Sequence, residues 1–487
     1  MDQQGNSRTI DGFYCGGAWK PCSSGRSFPV VNPATSRVLG QVSDCGPEDV
    51  TAAIAAATEA FDAWSTTTPK ERAALLHAVA AEMTAQSQHL AEIITAENGK
   101  PVREAKGEVA YAADFFTWYA EECKRAYGEI VPANVKKKWR LVMRQPIGPV
   151  AIISPWNFPL AMLTRKLAPA LGAGCTAVVK PAEQTPMSAI ELFRIMDAAR
   201  FPAGVVNLVC TSDPAPIGRA MLQSADIRML TFTGSDTVGK ELIRLSAEHA
   251  TKLALEHGGN AACVVYADAD LDVATEGLMA CKFRCGGQTC ICANRIFVHE
   301  RVAEEFLARL KPAVESLRVG DGSDESTDIG PLIDQAGLVK VEGHVQDALA
   351  KGARCLCGGQ RRFVDSNEST YFYKPTILTG INASMKILQE ETFGPIIPVV
   401  TFSDSDDILA EVNRTRFGLA AYAYTRSLST ALRFAERVEA GVVGINDAIP
   451  SVPECPFGGF KESGIGREGG WRGLDEFLET KYVSVSL

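Results

Sequence analysis

The sequence lacks an apolar run long enough to cross a lipid bilayer. Its longest apolar runs, such as residues 148–154 and 396–402, have the length of buried strands rather than of membrane helices. The N-terminus also lacks a basic segment followed by an apolar one, so the sequence shows no secretory signal peptide. These absences predict a protein without a membrane partner and with a cytoplasmic location, where most cysteines remain thiols.

Positive charge is scarce as well. The 487 residues contain 49 Lys and Arg against 58 Asp and Glu, which gives a net charge of −9. Binding to nucleic acid without sequence preference requires a basic surface, so the charge balance argues against this class of partner. The chain also lacks a repeat of fixed period and a low-complexity linker. At about 150 residues per domain, its length corresponds to about three domains.

Cysteine is too sparse for a disulfide scaffold but is concentrated in one segment. The chain has 14 cysteines, and four of them lie within twelve residues: Cys281, Cys285, Cys290 and Cys292. This segment has no Cys-x-x-Cys pair, and the nearest histidine, His299, is followed by no ligand set, which argues against a metal site. A nucleophilic thiol in a Gly-rich loop remains, and Cys290 is the first choice.

Strand-like and helix-like segments alternate from residue 148 onward. The apolar runs predict four strands, at residues 150–154, 177–180, 205–209 and 229–233. Helical patterns lie between them, and a second series of the same kind runs from about residue 260 to residue 456. This alternation is typical of a mostly parallel, doubly wound α/β sheet. Upstream, the patterns predict three helices and a basic strand, at residues 47–64, 68–98, 102–127 and 136–143.

Two glycine-rich segments are candidates for a phosphate-binding loop. The Gly-x-Gly-x-x-Gly match at residues 464–469 follows no predicted strand and leaves too little chain for a βαβ unit, so we interpret it as a chance match. Residues 231–239 are a better candidate, because a strand ends at Gly234 and Ser235 can cap the next helix. The N-terminus of that helix offers free N–H groups to an anion. A plain strand-to-helix turn is the alternative.

Four polar side chains also lie near the ends of predicted strands. Asn157, in a loop between two prolines, could aim its amide at an oxyanion or simply pack in a rigid turn. Lys180 and Glu183 could hold the ribose hydroxyls of an adenosine, or form a surface ion pair. Glu256 follows an apolar run, where burial raises the pKa of a carboxyl group and suits it to act as a general base. A buried carboxyl with satisfied hydrogen bonds is the alternative for Glu256.

Taken together, these motifs resemble the aldehyde dehydrogenase superfamily. The order and spacing of six separated motifs agree from residue 32 to residues 457–459. The resemblance implies a fold of three parts and, with it, a homodimer or homotetramer. The implied parts are a Rossmann-like, doubly wound NAD-binding domain (residues 1–126 and 145–258), an α/β catalytic domain (residues 259–457) and a β oligomerisation arm (residues 127–144 and 458–487).

The resemblance also implies a role for each motif residue. Cys290 would attack the aldehyde, and Glu256 would activate the water that hydrolyses the resulting thioester to a carboxylate. Asn157 and the backbone N–H of Cys290 would form the oxyanion hole. NAD, rather than NADP, would accept the hydride, because Glu183 would repel a 2′-phosphate. The implied cofactor contacts are Trp156, Asn157, Lys180, Glu183, Gly234, Ser235, Glu391 and Phe393.

Three positions resemble the succinate-semialdehyde dehydrogenase branch of this superfamily. In that branch, residues matching Arg165, Arg284 and Ser451 hold the distal carboxylate of the substrate, and arginine suits this task because it forms bidentate bonds to carboxylates. The semialdehydes of glutarate and 2-oxoglutarate would use the same residues. The alternatives are structural ion pairs at both arginines, a dehydrogenase of broad specificity, and a catalytically silent NAD-binding protein.

Three positions depart from the family pattern. Cys285 stands where asparagine is usual, His257 stands where leucine is usual, and Pro453 alters the loop after Ser451. The position of His257 predicts a hydrogen bond to the cofactor or an effect on the pKa of Glu256. Cys292 is separated from Cys290 by one residue, which raises the hypothesis that oxidation joins the two in a reducible disulfide.

Overall fold

The computed structural model describes residues 9–363 and 370–486. Two large sheets made mainly of parallel strands form its centre, and helices cover them. The predicted α/β class is therefore confirmed. Within the described residues, none of the helices is both long and apolar enough to cross a membrane.

The strands and helices are numbered in chain order. The strands are β1 (Thr9–Ile10), β2 (Phe13–Cys15), β3 (Ala18–Trp19), β4 (Ser27–Val31), β5 (Val38–Ser43), β6 (Glu129–Val131), β7 (Lys138–Pro146), β8 (Val150–Ile153), β9 (Ala177–Lys180), β10 (Val206–Val209), β11 (Met229–Thr233), β12 (Lys252–Glu256), β13 (Ala261–Val265), β14 (Ala293–His299), β15 (Arg354–Cys357), β16 (Thr376–Thr379), β17 (Ile396–Phe402), β18 (Phe417–Gly418), β19 (Ala420–Tyr424), β20 (Val442–Ile445), β21 (Phe460–Lys461), β22 (Gly464–Ile465) and β23 (Leu478–Ser486). The helices are α1 (Pro47–Ser65), α2 (Pro69–Ala85), α3 (Ser87–Asn98), α4 (Val102–Glu122), α5 (Ala161–Ala173), α6 (Met187–Ala198), α7 (Pro214–Gln223), α8 (Asp236–Ser246), α9 (Leu271–Phe283), α10 (Glu300–Glu315), α11 (Gln335–Ala350), α12 (Lys386–Gln389), α13 (Ile408–Asn413), α14 (Leu428–Arg437) and α15 (Gly470–Asp475).

The first large sheet has eight strands in the order β22-β12-β11-β8-β9-β10-β2-β3. Its five central strands, β12 to β10 in that order, run parallel. Among these five strands, β8 comes first in the chain. The next two, β9 and β10, lie on one side of β8, and the last two, β11 and β12, lie on its other side. Open sheets of this kind bind ligands at the carboxyl ends of the strands where the direction of winding changes, which here are β8 and β11.

The second large sheet has seven strands in the order β15-β16-β17-β14-β13-β19-β20. All neighbouring pairs are parallel except β15 and β16. The loop between α9 and β14, which contains Cys290, enters the sheet at the amino end of its central strand β14. The central strands β13 and β14 are buried along their whole length because helices cover both faces of a parallel sheet.

A third sheet, here called the arm sheet, consists of β6, β7 and β23. β7 and β23 pair antiparallel over nine residues, from Lys138 opposite Ser486 to Pro146 opposite Leu478. The predicted strand at residues 136–143 thus begins two residues later and continues to Pro146. The last residue of the predicted arm, Leu487, lies outside the described residues. The division of the chain into the three predicted parts remains a prediction.

The helices before the first sheet differ from the predicted ones in two places. The predicted helix at residues 68–98 is two helices, because Gln86 leaves the helical conformation with φ −96° and ψ 18°. The helix predicted to end at residue 127 ends at Glu122 and continues as a short 3-10 turn. Helix α2 begins with a capping pair, whose residue types and spacing are visible in the sequence: Glu71 N–H donates to Thr68 Oγ1 at 3.3 Å, and the Glu71 carboxylate accepts from Thr68 N–H.

Candidate active site

An elongated cleft lies at the carboxyl ends of β8 and β11. It consists of two adjoining cavities of about 450 Å³ each. One cavity reaches Lys180 and Glu183, and the other reaches Cys290 and Glu391. The two share five lining residues, which are Pro155, Trp156, Thr233, Gly234 and Ser235. A long cleft at the switch point of a doubly wound sheet has the shape and position that a dinucleotide requires.

The first cavity contains the predicted adenosine contacts. Lys180 is the last residue of β9, and its buried ammonium group lies 3.1 Å from the Glu183 carboxylate. The Glu183 side chain keeps 33% of its surface exposed, so the carboxylate has oxygen surface left for a ligand. The two side chains can therefore present one donor and one acceptor to a pair of vicinal hydroxyl groups.

The centre of the cleft is the N-terminus of helix α8. Ser235 caps this helix by accepting the N–H of Val238 at 3.3 Å, and Gly234 N–H donates to the backbone oxygen of Glu256 at 3.0 Å. A Cβ atom on Gly234 would lie 2.4 Å from the Phe232 ring, so only glycine fits at this turn. The free N–H groups of the first helical turn can hold an anion such as a pyrophosphate.

The second cavity contains the two residues predicted to lie near the nicotinamide. One oxygen of the Glu391 carboxyl accepts the N–H of Gly259 at 3.0 Å, and burial raises the pKa of this carboxyl to about 7. The Phe393 ring stands edge-on to Trp156, with ring centroids 5.4 Å apart and an interplanar angle of 90°. These aromatic side chains and the carboxyl therefore line one end of the same cavity.

His257 also lines the second cavity. Its Nδ1 atom lies 2.9 Å from the backbone oxygen of Glu462, and this nitrogen must carry the proton because a carbonyl only accepts. Its Nε2 atom has no hydrogen-bond partner among the described residues, and burial lowers the pKa of the imidazole. A Cβ atom on Gly239 would lie 1.9 Å from Nε2, which places this nitrogen against the first turn of α8.

Cys290 lies half-buried in the loop that leads into β14. Burial, and then the nearby carboxyl of Glu391, raise the pKa of its thiol to about 12, whereas the positive charge of Arg165 acts in the opposite direction. The thiol is therefore protonated in the unliganded protein at neutral pH. To act as a nucleophile it must lose this proton to a base, or gain a stabilising positive charge when ligands bind.

Glu256 is the last residue of β12 and is buried. Burial, and then the negative charge of Glu468, hold the pKa of its carboxyl well above the ordinary value. One of its oxygens has no hydrogen-bond partner among residues 9–363 and 370–486. A carboxyl of this kind is available to exchange a proton with water or a thiol.

Sequence reasoning missed the ion pair next to Glu256. Lys166 of α5 pairs with Glu468, and both side chains are almost completely buried. The charge of Lys166 acts on the Glu256 carboxyl against the effect of Glu468. A signal was present for the lysine, since Arg165 and Lys166 are two adjacent cations in a helix that is buried throughout. Nothing in the local sequence of Glu468 indicates its partner, which lies 302 positions away.

Asn157 is held in place from both sides. Its side-chain nitrogen donates to the backbone oxygen of Gln288 at 3.0 Å, and its side-chain oxygen accepts the N–H of Phe158 at 3.1 Å. Its own backbone oxygen accepts from Lys100 at 2.7 Å, and Lys100 is paired with Glu108. An amide nitrogen carries two hydrogens, so one remains for an oxyanion.

The structure brings Arg165 and Ser451 together, as the resemblance implied, and adds Tyr111. The Arg165 guanidinium contacts the Tyr111 hydroxyl and lies 3.1 Å from Ser451 Oγ. The Tyr111 and Ser451 hydroxyls are 2.8 Å apart. We call these three residues the arginine cluster. The positive charge of Arg165 acts on the Cys290 thiol, so the arginine cluster lies within electrostatic range of this sulfur.

Arg284 lies outside the arginine cluster. Its side chain is half-buried, and its guanidinium carbon lies 4.6 Å from the centroid of the Phe158 ring. Phe158 follows Asn157, so Arg284 contacts the same loop. The structural ion pair considered as the alternative for Arg284 is absent among the described residues.

Cys285 and Cys292 have different surroundings. Cys285 has a left-handed backbone with φ 52°, its N–H donates to Glu104 at 2.7 Å, and its Sγ atom lies 3.5 Å from the backbone oxygen of Asn157. Asparagine tolerates this backbone conformation better than cysteine does. Cys292 Sγ donates to the backbone oxygen of Gly287 at 3.3 Å. The hypothesis of a Cys290–Cys292 disulfide remains untested.

Comparison with known proteins agrees with this geometry. The profile of the Aldehyde dehydrogenase family matches residues 19–483. Succinate-semialdehyde dehydrogenase [NADP(+)] GabD of Escherichia coli is 47% identical over 97% of both chains, and glutarate-semialdehyde dehydrogenase of Pseudomonas putida is 45% identical over 97% of both. The crystal structure of succinate-semialdehyde dehydrogenase from Burkholderia pseudomallei superimposes with a TM-score of 0.96 at 46% identity, over 98% of both chains. This chain therefore belongs to the aldehyde dehydrogenase family, as its motifs predicted.

Proposed function

We propose that this protein oxidises a carboxylated semialdehyde, first of all succinate semialdehyde, to the corresponding dicarboxylate with NAD. The observation that supports the substrate class is the arginine cluster beside Cys290. A buried guanidinium with two hydroxyl groups on one side can bind a carboxylate through charge-assisted hydrogen bonds. An uncharged aldehyde has no group that would use these donors. The names of the E. coli and P. putida relatives point to the same substrate class.

The proposed reaction begins at Cys290. After the thiol has given its proton to a base, the thiolate attacks the aldehyde carbon, and the developing oxyanion is held by the free N–H of the Asn157 side chain and the backbone N–H of Cys290. A nicotinamide cofactor supplies the hydride acceptor. Loss of hydride from the carbon leaves a thioester on Cys290, which is the bond that water must then break.

Glu256 acts in the second half of the proposed reaction. Its carboxylate takes a proton from the attacking water, the C–S bond breaks, and the acyl group leaves as the carboxylate product while Cys290 is released as a thiolate. The raised pKa of Glu256 brings the group closer to the range in which a carboxylate accepts a proton effectively. Lys166 and Glu468 act on the pKa of this carboxyl in opposite directions: Glu468 raises it and Lys166 lowers it.

The cofactor contacts follow the shape of the cleft. Lys180 and Glu183 would hold the adenosine ribose, and Gly234 and Ser235 would hold the pyrophosphate. Glu391 would bind the nicotinamide ribose. Trp156, Phe393 and His257 would line the space beside the nicotinamide end. Glu183 supports NAD as the cofactor, because its carboxylate accepts from a 2′-hydroxyl and repels a 2′-phosphate. The name of the E. coli relative includes NADP(+), so the choice must be measured on this chain.

One set of rate measurements tests the function. We would measure kcat/KM for succinate semialdehyde, glutarate semialdehyde and butanal, each with NAD and with NADP. The proposal expects a clear preference for both carboxylated aldehydes over butanal, and for NAD over NADP. Equal values for butanal would overturn the substrate class, and a higher value with NADP would overturn the cofactor choice.

Glutarate semialdehyde is the second candidate substrate. It has one methylene more than succinate semialdehyde, and the same arginine cluster would bind its carboxylate. The P. putida relative named for this substrate is 45% identical to the chain. The two candidates are separated by the ratio of their kcat/KM values, since one methylene changes the distance between the carboxylate and the aldehyde carbon.

The arm sheet supports a proposed homodimer or homotetramer. It exposes large apolar side chains, including Ile130 at 68%, Tyr482 at 59% and Trp139 at 51%. Exposed apolar groups on one small sheet are typical of a surface that another protein chain covers. Light scattering coupled to size-exclusion chromatography would determine the mass. A monomer at micromolar concentration would contradict this proposal.

A further inference from the structure

A second pair of cysteines lies in contact far from the catalytic loop. Cys22 is in the turn between β3 and β4, and Cys45 is between β5 and α1. Their sulfur atoms are 2.8 Å apart, and both side chains are buried, with 7% and 2% of their surface exposed. Neither cysteine lines the cleft or belongs to the arginine cluster.

The surrounding backbone already holds the two cysteines side by side. Asp44, which precedes Cys45, donates its N–H to the backbone oxygen of Arg26 at 2.9 Å. The Ser24 hydroxyl donates to the backbone oxygen of Asp44 at 2.5 Å. The two chain segments are therefore joined by hydrogen bonds next to the sulfur contact. A disulfide, with its S–S bond of about 2.05 Å, would need only a small local shift.

The contact fits a metal site less well than a disulfide. Two thiolates on one tetrahedral zinc ion, with Zn–S bonds of about 2.3 Å, lie about 3.8 Å from each other. Asp49 is the third potential ligand within reach of the two sulfurs. Its carboxylate already accepts the N–H of Ser23 at 2.9 Å, the hydroxyl of Ser23 at 3.0 Å and the N–H of Gly46 at 2.8 Å. These bonds give the aspartate a structural role at the start of α1.

The two sulfurs are not equivalent. The hydrogen bond to Cys22 and burial raise the pKa of the Cys45 thiol far above its ordinary value, so Cys45 keeps its proton. Cys22 lies in a turn whose neighbours Pro21, Ser23 and Ser24 are exposed. A local opening of this turn brings the Cys22 sulfur to solvent first, while Cys45 stays in the core.

We propose that Cys22 and Cys45 form an oxidisable dithiol, which a hydroperoxide converts to an intramolecular disulfide. The sulfur of Cys22 attacks the O–O bond of the hydroperoxide, which gives a Cys22 sulfenic acid and releases an alcohol, or water from hydrogen peroxide. The sulfur of Cys45 then attacks the sulfur of Cys22, and the hydroxyl leaves as water with the proton of Cys45. Two thiols and one hydroperoxide thus give one disulfide, one water and one alcohol or second water.

The disulfide would connect the turn after β3 to the start of α1. It would restrict the unfolded chain without touching Cys290, so this part of the molecule would become more resistant to unfolding. The proposal does not depend on the substrate or the cofactor of the enzyme. Oxidation would then have two separate effects on the protein: loss of activity through Cys290, and formation of the Cys22–Cys45 crosslink.

The test uses the full-length protein with Cys290→Ala, so that the catalytic thiol does not react. The protein is treated with hydrogen peroxide, its remaining thiols are alkylated, and crosslinked peptides are identified by mass spectrometry. We expect a peptide joining Cys22 to Cys45 that disappears after dithiothreitol, and a midpoint of thermal unfolding about 2–4 °C higher than in the reduced protein. Cys22→Ser and Cys45→Ser should each abolish both effects.

Cys355→Ser is the matched control, because Cys355 is an exposed thiol that also has a second cysteine, Cys357, two residues away. This variant should keep the Cys22–Cys45 crosslink and its thermal shift. Two outcomes would overturn the proposal. One is the absence of the crosslinked peptide when other thiols of the folded protein are oxidised, and the other is one equivalent of zinc bound in the purified protein and lost in Cys22→Ser.

Discussion

The proposed cofactor site in the cleft and the proposed substrate site at the arginine cluster, here called the cofactor end and the substrate end, are assembled from very different lengths of chain. At the cofactor end, Lys180 and Glu183 are three residues apart at the end of β9, and Gly234 and Ser235 are neighbours at the end of β11. At the substrate end, Tyr111 comes from α4 and contacts Ser451, which is 340 positions away. One strand end therefore places two of the proposed cofactor contacts together, whereas the arginine cluster requires the packing of distant parts of the chain.

This difference has a chemical consequence. At the cofactor end, Glu183 keeps part of its surface exposed, and the N-terminus of α8 has a partial positive charge that is fixed by the backbone. In the arginine cluster, Arg165 is buried, and its guanidinium is surrounded by the rings of Phe457, Phe115 and Tyr111 at 4.2, 5.2 and 5.6 Å. Changes at the cofactor end should therefore alter affinity for one ligand, whereas changes at the substrate end should alter discrimination between charged and neutral aldehydes.

The largest expected effect lies between the two ends, at Cys290. Cys290→Ala should lower kcat for aldehyde oxidation by at least about 10⁴-fold, because no other thiol lines the cavity. Binding of NAD, measured by protein fluorescence, should remain within a few-fold. Cys292→Ala is the control and should retain most of the activity. If Cys290→Ala still turned over at a tenth of the normal rate, the assigned nucleophile would be wrong.

The second prediction separates the two halves of the reaction at Glu256. Glu256→Gln should lower steady-state kcat by about 10²–10⁴-fold, since the amide cannot accept a proton from water. A rapid-mixing experiment should still show a burst of NADH close to one per active site, because the thioester forms before Glu256 is needed. The loss of this burst would show that Glu256 is required for the attack of Cys290.

The third prediction addresses the substrate end. Tyr111→Phe keeps the ring beside Arg165 but removes the hydroxyl, so KM for succinate semialdehyde should rise about tenfold, as expected for one hydrogen bond to a charged group. The values of kcat and of KM for butanal should stay within twofold. A parallel rise of KM for butanal would mean that the cluster supports the fold of the site rather than binding a carboxylate.

The fourth prediction addresses the cofactor end. Glu183→Gln removes the negative charge while keeping a hydrogen-bonding side chain next to Lys180, so the ratio of kcat/KM for NADP to that for NAD should rise about tenfold. Its preference for succinate semialdehyde over butanal should not change. A change in aldehyde preference would contradict the independence of the cofactor end and the substrate end.

The smallest expected effect concerns Cys285, which supports the loop between the two ends. Cys285→Asn should raise the free energy of unfolding by about 0.5–1 kcal/mol, because asparagine tolerates the left-handed backbone better than cysteine does. Chemical denaturation would measure this difference. Cys285→Ala is the matched control: it keeps the strained backbone, loses the sulfur contacts and should be less stable than the parent protein.

Several features could be predicted from the sequence because they are local. The four strands of the first series and the helices between them follow from alternating apolar runs, and the capping pair at Thr68 follows from spacing alone. Other features could not. The break at Gln86 has no proline or glycine to indicate it, and residue 86 leaves the helical conformation within a continuous helical pattern. The arm sheet extends to Pro146 because its partner strand comes from the other end of the chain.

The sequence by itself determined the α/β class, the family, and which polar residues stand at the ends of strands. Strand ends and glycine-rich turns are encoded within about ten neighbouring residues. Only the tertiary structure decided which distant side chains meet. It joined Tyr111 to Arg165 and Ser451, paired Lys166 with Glu468 beside Glu256, left Arg284 on the Phe158 ring, and set Cys22 against Cys45. The physical reason is that such contacts depend on how buried faces pack, and packing is a property of surfaces drawn from the whole chain rather than of any one segment.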